Sequence, residues 1–244
     1  MATECGTEIL AVPNGEMIIR FANVDDRYPE ELADLCAVAE RYVGTQGGGM
    51  DQAAEILAAD GSALRIDFSP LRFRMITLPA LATFTVLHCG ETLNKAATSH
   101  YNERVMEGRL AGKLLLKKSK TSLNVKPLRL KDVQEALGKT LEEMVEMCDT
   151  LPDQATRAEL EELLTKEVVS ECLSPNAQQS KFLVKSSMSF KLRSRARHVY
   201  SEALRVSQFE EACKAGDLAE MGRLMNASHE SCSKVCAFQF FENV

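Results

Sequence analysis

The amino-acid sequence predicts an α+β protein with a helix-rich second half, and three observations predict it. Between residues 62 and 78 apolar and charged side chains alternate, the pattern of half-buried strands, and an uncharged run follows at 82–89. Beyond residue 93 the apolar positions recur at helical spacing almost to the end. The 244 residues are 45% apolar, enough to bury a substantial core in one large domain or two smaller ones.

Residues 1–24 carry little pattern beyond a turn at Val12-Pro13-Asn14-Gly15 and a short apolar segment, Met17-Ile18-Ile19-Arg20-Phe21, strand or helix. Asp25, Asp26 and Pro29 then open a helix whose apolar face is Leu32, Leu35, Cys36, Ala39 and Val43. A second helix, from about residue 50 to 59, ends at the turn pair Asp60-Gly61. Leu64, Ile66 and Phe68 alternate with Arg65 and Asp67 as a strand, and residues 72–78 form its partner after a Ser69-Pro70 turn. The run 82–89 suits a more deeply buried strand.

The helical half begins with residues 94–117, which turn Val105, Leu110, Leu114 and Leu115 inward and mix charges on the other face. Two or three short amphipathic helices follow: 130–137 closed by Gly138, 141–148, and 154–173. Thr140 with Glu143 three residues on has the spacing of a capping box. Ser174-Pro175-Asn176 breaks the run, and the Ser/Lys-rich residues 180–194 read as a loop or loose helix start. A long helix over 190–214 stops at Gly216, and Asp217 caps a last helix that turns Leu218, Met221, Leu224 and Met225 inward.

Composition narrows the function classes. Net charge is −6 with the signs interspersed, so no basic field argues for nucleic acid, and Lys181, Lys185, Lys191, Arg193, Arg195 and Arg197 read as a solvated helix face. No apolar run is long enough to cross a membrane, and Met1-Ala2-Thr3-Glu4-Cys5 lacks the regions of a secretory signal, so the expected location is cytoplasmic. The eight cysteines show no Cys-x-x-Cys spacing and read as reduced, buried thiols, as at Cys36 and Cys213. Cys232 and Cys236 near His229 have a nonstandard spacing without a second pair, so no metal ligand is expected.

The stretch with chemical content is Gly44-Thr45-Gln46-Gly47-Gly48-Gly49-Met50-Asp51-Gln52. Consecutive glycines admit positive φ and close approach to a ligand, and they precede the second helix. Asp51 falls in or just before a first helical turn, where the helix dipole favours its ionised form. A carboxylate so placed can take a hydroxyl proton or orient the hydroxyl; it can equally be a helix cap beside a glycine loop.

Glu40-Arg41-Tyr42-Val43 before this stretch, Leu93-Asn94-Lys95-Ala96-Ala97-Thr98-Ser99-His100-Tyr101-Asn102 after it, and Arg195-Ala196-Arg197-His198-Val199-Tyr200-Ser201-Glu202-Ala203 further on supply two more motifs in order. With them the chain, over roughly 22–234, resembles the GHMP-superfamily sugar kinases, and N-acetylgalactosamine kinase more than the ordinary galactokinases. The resemblance implies ATP and Mg2+ as cofactors and phosphorylation of the anomeric hydroxyl of galactose or N-acetylgalactosamine. It implies Asp51 as the group that orients or deprotonates the sugar hydroxyl, Gly48 and Tyr101 against the sugar, and Asn94 and Lys95 along the nucleotide. On residues alone Asn94 and Lys95 also fit a solvated helix end, and Tyr101 a half-buried aromatic. The resemblance further implies two domains, divided at Pro79 into 1–79 and 80–244, with the active site in the cleft between them.

Three motifs of those kinases do not occur in the sequence: Gly-Arg-x-Asn-Leu-x-Gly-Glu-His, the phosphate loop Pro-x-x-x-Gly-Leu-Ser-Ser-Ser, and the closing Gly-x-Gly-x-Gly-Gly. Both domains are therefore expected to be truncated and turnover to be weak or absent, because phosphoryl transfer rests on positioning and charge stabilisation. The alternatives are a non-catalytic sugar-sensing or protein-binding regulator, as some galactokinase relatives are transcriptional co-inducers, or a fragment whose exposed apolar surface binds chaperones or self-associates.

Overall fold

The computed structural model describes residues 29–40, 49–68, 71–87, 100–125, 129–173 and 189–235. The chain divides into two compact units, residues 1–96 with 213–216, and residues 97–212 with 217–244. The described residues are helix-rich with two small sheets, the α+β class expected.

The first unit packs α1 (Pro29–Glu40) against α2 (Met50–Leu57) and sets both beside an antiparallel hairpin of β1 (Ser62–Asp67) and β2 (Arg72–Thr77). The hairpin register runs from Ser62↔Thr77 to Asp67↔Arg72, so Leu64, Ile66 and Phe73 share the face that meets buried Ala33, Ala53 and Leu57. The inward face of α1 differs from the expected one: Leu32, Ala33 and Ala37 are buried, whereas Leu35 and Ala39 are exposed. Ala33 and Ala37 are one turn apart, and their small side chains let α2 approach closely along that line; bulk alone would have chosen Leu35.

The strand expected at 82–89 is not formed over its described part. Residues 82–87 pair with nothing regular, and Leu81 and Leu87 are 84% and 85% exposed. A turn closed by the Ala82 N–H donating to the Pro79 carbonyl at 2.8 Å directs the chain away from β2 before any ladder can continue.

The second unit is built on α3 (His100–Lys118), which contacts α4 (Leu130–Leu137), α7 (Lys166–Leu173) and β4 (Ser189–Lys191). Met106, Leu110, Ala111, Leu114, Leu115 and Leu116 are all buried in the main core, with Met144, Leu160, Val169, Leu192 and Tyr200. The expected charged face is corrected here: Glu107 and Lys113 are buried as well, because a central helix has neighbours on several sides. The Lys113 ammonium donates to the Leu123 carbonyl and lies 3.8 Å from Glu171, while Lys117 and Lys118 reach the carbonyls of Leu163 and Thr150.

Local sequence fixes most boundaries. Gly138 ends α4 at φ 61°, and Thr140 and Glu143 exchange backbone and side-chain hydrogen bonds at 2.9 and 3.3 Å to start α5 (Leu141–Met147). The segment read as one helix over 154–173 is instead β3 (Gln154–Thr156), α6 (Arg157–Leu163) and α7. Thr156 caps α6 through Glu159, and Thr165, at φ 134°, breaks the helix before α7. β3 pairs antiparallel with β4, so the long helix α8 (Arg193–Ala215) begins after a strand rather than at Phe190. Gly216, at φ 68°, ends α8 with a 3.0 Å bond from the Asp217 N–H back to the Ala212 carbonyl. Asp217 Oδ1 accepts from the Glu220 N–H at 2.9 Å and starts α9 (Leu218–Val235), whose Met221 and Leu224 are buried while Leu218 and Met225 are exposed.

Candidate active site

Asp51 lies in the first turn of α2, exposed, with Glu55 one turn on. The conformation of Gly49 places it there. Gly49 is left-handed, φ 86° and ψ 11°, and its carbonyl accepts the first helical bond from the Ala53 N–H at 3.0 Å. A Cβ on Gly49 would stand 2.7 Å from the Ala37 Cβ and 3.9 Å from Cε1 of Phe68. Glycine is thus required twice, for the backbone angle and for the space between α1 and the end of β1. The backbone bends at Gly49 and delivers the Asp51 carboxylate, two residues later, to the open side of α2. There it can accept a proton or a hydrogen bond from a hydroxyl.

Of the other residues singled out in the sequence, Gly48, Asn94 and Lys95 lie outside the described residues. Tyr101 lies in the first turn of α3, its side chain outside the described set. Of the five residues, the described structure places the side chain of Asp51.

The third motif, at 195–203, is built into the scaffold of the second unit. Arg195 Nε donates to Glu107 Oε2 at 3.0 Å, Glu107 Oε1 accepts the Lys191 N–H at 2.8 Å, and Arg195 also donates to the Val235 carbonyl at 3.0 Å. The Tyr200 hydroxyl donates to the Leu130 carbonyl at 2.8 Å, and burial pushes its phenol far above the usual range. His198 Nδ1 meets Ser231 Oγ at 2.8 Å, and burial pulls its imidazole below the ordinary value. Glu202 accepts from Ser228 on α9 at 2.8 Å and pairs with Arg205. These side chains tie α8 to α3, α4 and α9.

Within the described part of the basic run the expected solvated face is corrected at Arg195, which is buried, and the arginines have internal partners. Arg193 pairs with Asp153 at 2.8 Å and Arg197 with Asp149 at 2.7 Å, which leaves these two cations engaged within the unit. Burial pushes the Cys148 thiol up to about 12 and the Cys172 thiol to about 11, so both remain inert apolar fillers. Cys213 is buried and Cys36 half-buried; Cys232 is exposed. Among the described residues no group of three His, Cys, Asp or Glu could hold a metal ion. No helix among them is long and apolar enough to cross a membrane.

The residue that sequence reading missed is Ala37, against which Gly49 packs; its advance signal is Ala33 one turn before it in α1.

Comparison with known proteins bears on the same segments. No protein-family model matches the chain. A galactokinase of Dictyostelium discoideum is 34% identical over 229 residues, covering 84% of this chain and 45% of that protein. Galactokinases of Candida parapsilosis and Candida albicans are 32% and 30% identical, covering 78% and 89% of this chain and 42% and 49% of those proteins. The chain is galactokinase-like over most of its length, and it spans about half the length of the curated relatives it matches.

Proposed function

We propose that this chain carries the sugar-facing part of a kinase that transfers the γ-phosphoryl group of ATP to the anomeric hydroxyl of galactose or N-acetylgalactosamine. The observation that supports it is the position of Asp51, exposed in the first turn of α2 behind a left-handed Gly49, in a chain 34% identical to a galactokinase. Asp51 orients or deprotonates the attacking hydroxyl, a role worth about 10²–10⁴-fold in rate. Gly48 and Tyr101 contact the sugar, and Asn94 and Lys95 line the nucleotide. The Gly-Gly-Gly and Asn-Lys-Ala-Ala-Thr-Ser-His runs favour N-acetylgalactosamine as the acceptor. In this reading Asp51 and Gly48 belong to an N-terminal part, 1–79, and Asn94, Lys95 and Tyr101 to a C-terminal part, 80–244, of a cytoplasmic protein.

The described residues offer no grouped ligands for magnesium, and the sequence holds no phosphate loop of the kind these kinases use. No step is therefore assigned to the metal, and this chain by itself turns over weakly or not at all. The second reading is a non-catalytic protein that senses the sugar or binds a partner protein.

The test is calorimetric titration of the purified chain with galactose and with N-acetylgalactosamine, beside a coupled assay with ATP and magnesium. One of the sugars is expected to bind, and Asp51→Ala to weaken that binding and abolish any turnover. Binding of neither sugar by folded protein overturns the proposal; binding and turnover indifferent to Asp51→Ala remove the role given to that residue.

A further inference from the structure

We infer that Ala37 is a positioning residue for Asp51: its methyl group sets how closely the start of α2 lies against α1, and so where the Asp51 carboxylate stands. The inference rests on the role proposed above for Asp51.

Three observations on the first unit carry it. The 2.7 Å approach of a Cβ on Gly49 to the Ala37 Cβ means that the backbone at the start of α2 already touches α1, with a single methyl group between them. Ala37 is only 6% exposed, and its buried neighbours along the seam, Ala33 and Ala53, are as small, so no long side chain can swing away to absorb added bulk. The ring of Phe68 stands 3.9 Å from the same point, so the space beside Gly49 on that side is already filled. Extra volume at 37 therefore presses on Gly49 itself.

Gly49 is also the residue at which the backbone turns into the helix. Its carbonyl holds the first turn through the Ala53 N–H, and Asp51 lies within that turn. A shift at Gly49 is thus carried to the carboxylate. A misplacement of about 1 Å in a reacting group is enough to cost on the order of 10²-fold in rate.

The experiment is a cycle of Ala37→Gly, Gly49→Ala and the double variant, with Ala37→Val beside it. The readouts are hydrogen exchange of the Ala53 amide, galactose and N-acetylgalactosamine affinity by calorimetry, and any ATP-dependent turnover. Ala37→Val is expected to speed Ala53 exchange by about fivefold or more, through overpacking of the seam. Gly49→Ala should do the same. In the Ala37→Gly background the effect of Gly49→Ala should shrink at least about fivefold, because the clash is gone and only the cost of positive φ remains.

Equal effects of Gly49→Ala in both backgrounds overturn the contact as the controlling one. A loosened Ala53 amide with sugar affinity and turnover unchanged overturns the link to Asp51. If Ala37→Val does not fold, the glycine–alanine cycle alone decides. If wild-type chain binds neither sugar, it is the proposed function that fails, and the exchange cycle still decides whether Ala37 positions the turn.

Discussion

Arg195 Nε stands 3.0 Å from Glu107 Oε2, a buried ion pair that joins α8 to α3 across 88 positions of sequence. Both side chains are nearly excluded from solvent, and both have further backbone contacts, to the Val235 carbonyl and the Lys191 N–H. Loss of one partner leaves the other charge buried.

Glu107→Ala is therefore expected to destabilise the chain by about 3–5 kcal/mol. The double variant Glu107→Leu/Arg195→Met should be less destabilised than Glu107→Ala alone. Denaturant unfolding of the two variants checks this, and a double variant worse than the single one would contradict the pairing.

Tyr200→Phe removes the hydroxyl that donates to the Leu130 carbonyl and should cost about 1–2 kcal/mol. Burial holds the Tyr200 phenol protonated far above the ordinary range. A raised folded value means that its stabilising contribution is complete below the unfolded tyrosine value and is lost as pH rises above it. The tyrosinate absorbance contributed by Tyr200, taken as the difference between wild type and Tyr200→Phe, should rise only with alkaline unfolding.

The capping boxes give the opposite pH dependence. Hydrogen bonds from the backbone N–H groups of Thr140 and Thr156 hold the Glu143 and Glu159 carboxylates below the usual range, with Lys139 and the Thr156 hydroxyl helping. A depressed folded value contributes stability that is complete above the ordinary glutamate range and lost as pH falls through the folded value. Thr140→Ala should cost about 1 kcal/mol near neutral pH. The pH-dependent part resides in the carboxylate, so the gap between wild type and Glu143→Gln should narrow in acid, as denaturant titrations at neutral and acid pH would show.

Lys120 occupies the left-handed position that closes α3, φ 56°, with the Thr121 N–H donating back to the Leu116 carbonyl at 2.9 Å. Glycine is the residue suited to that angle. Lys120→Gly is expected to raise stability by about 0.5–1 kcal/mol, after the larger entropy of the unfolded glycine chain is counted. A lower melting temperature would show that the lysine side chain contributes more than its backbone strain costs.

Features that depend on a few adjacent residues were legible in the sequence. Gly138, Gly216, Asp217 and the Thr140/Glu143 pair each end or start a helix where their chemistry requires, and Asp51 stands in the first turn of its helix. What could not be read depends on distant partners. The burial of Glu107 is intelligible only once Arg195 arrives beside it, and β3 becomes a strand only because β4 lies 35 positions away to pair with it. The inward line of α1 was misread for a related reason. Apolar bulk favours Leu35, but the neighbouring helix selects the small Ala33 and Ala37.

From Met75 to Gly90 the sequence carries sixteen residues without a single charge, and in their described stretch after Pro79 no strand forms and Leu81, Phe84, Val86 and Leu87 are exposed. After Pro79 the run holds neither charge nor proline to act as a gatekeeper, and stacking of identical copies would satisfy backbone groups that have no ladder of their own. Long before heat or acid unfolds the chain, concentration is what it must be protected from.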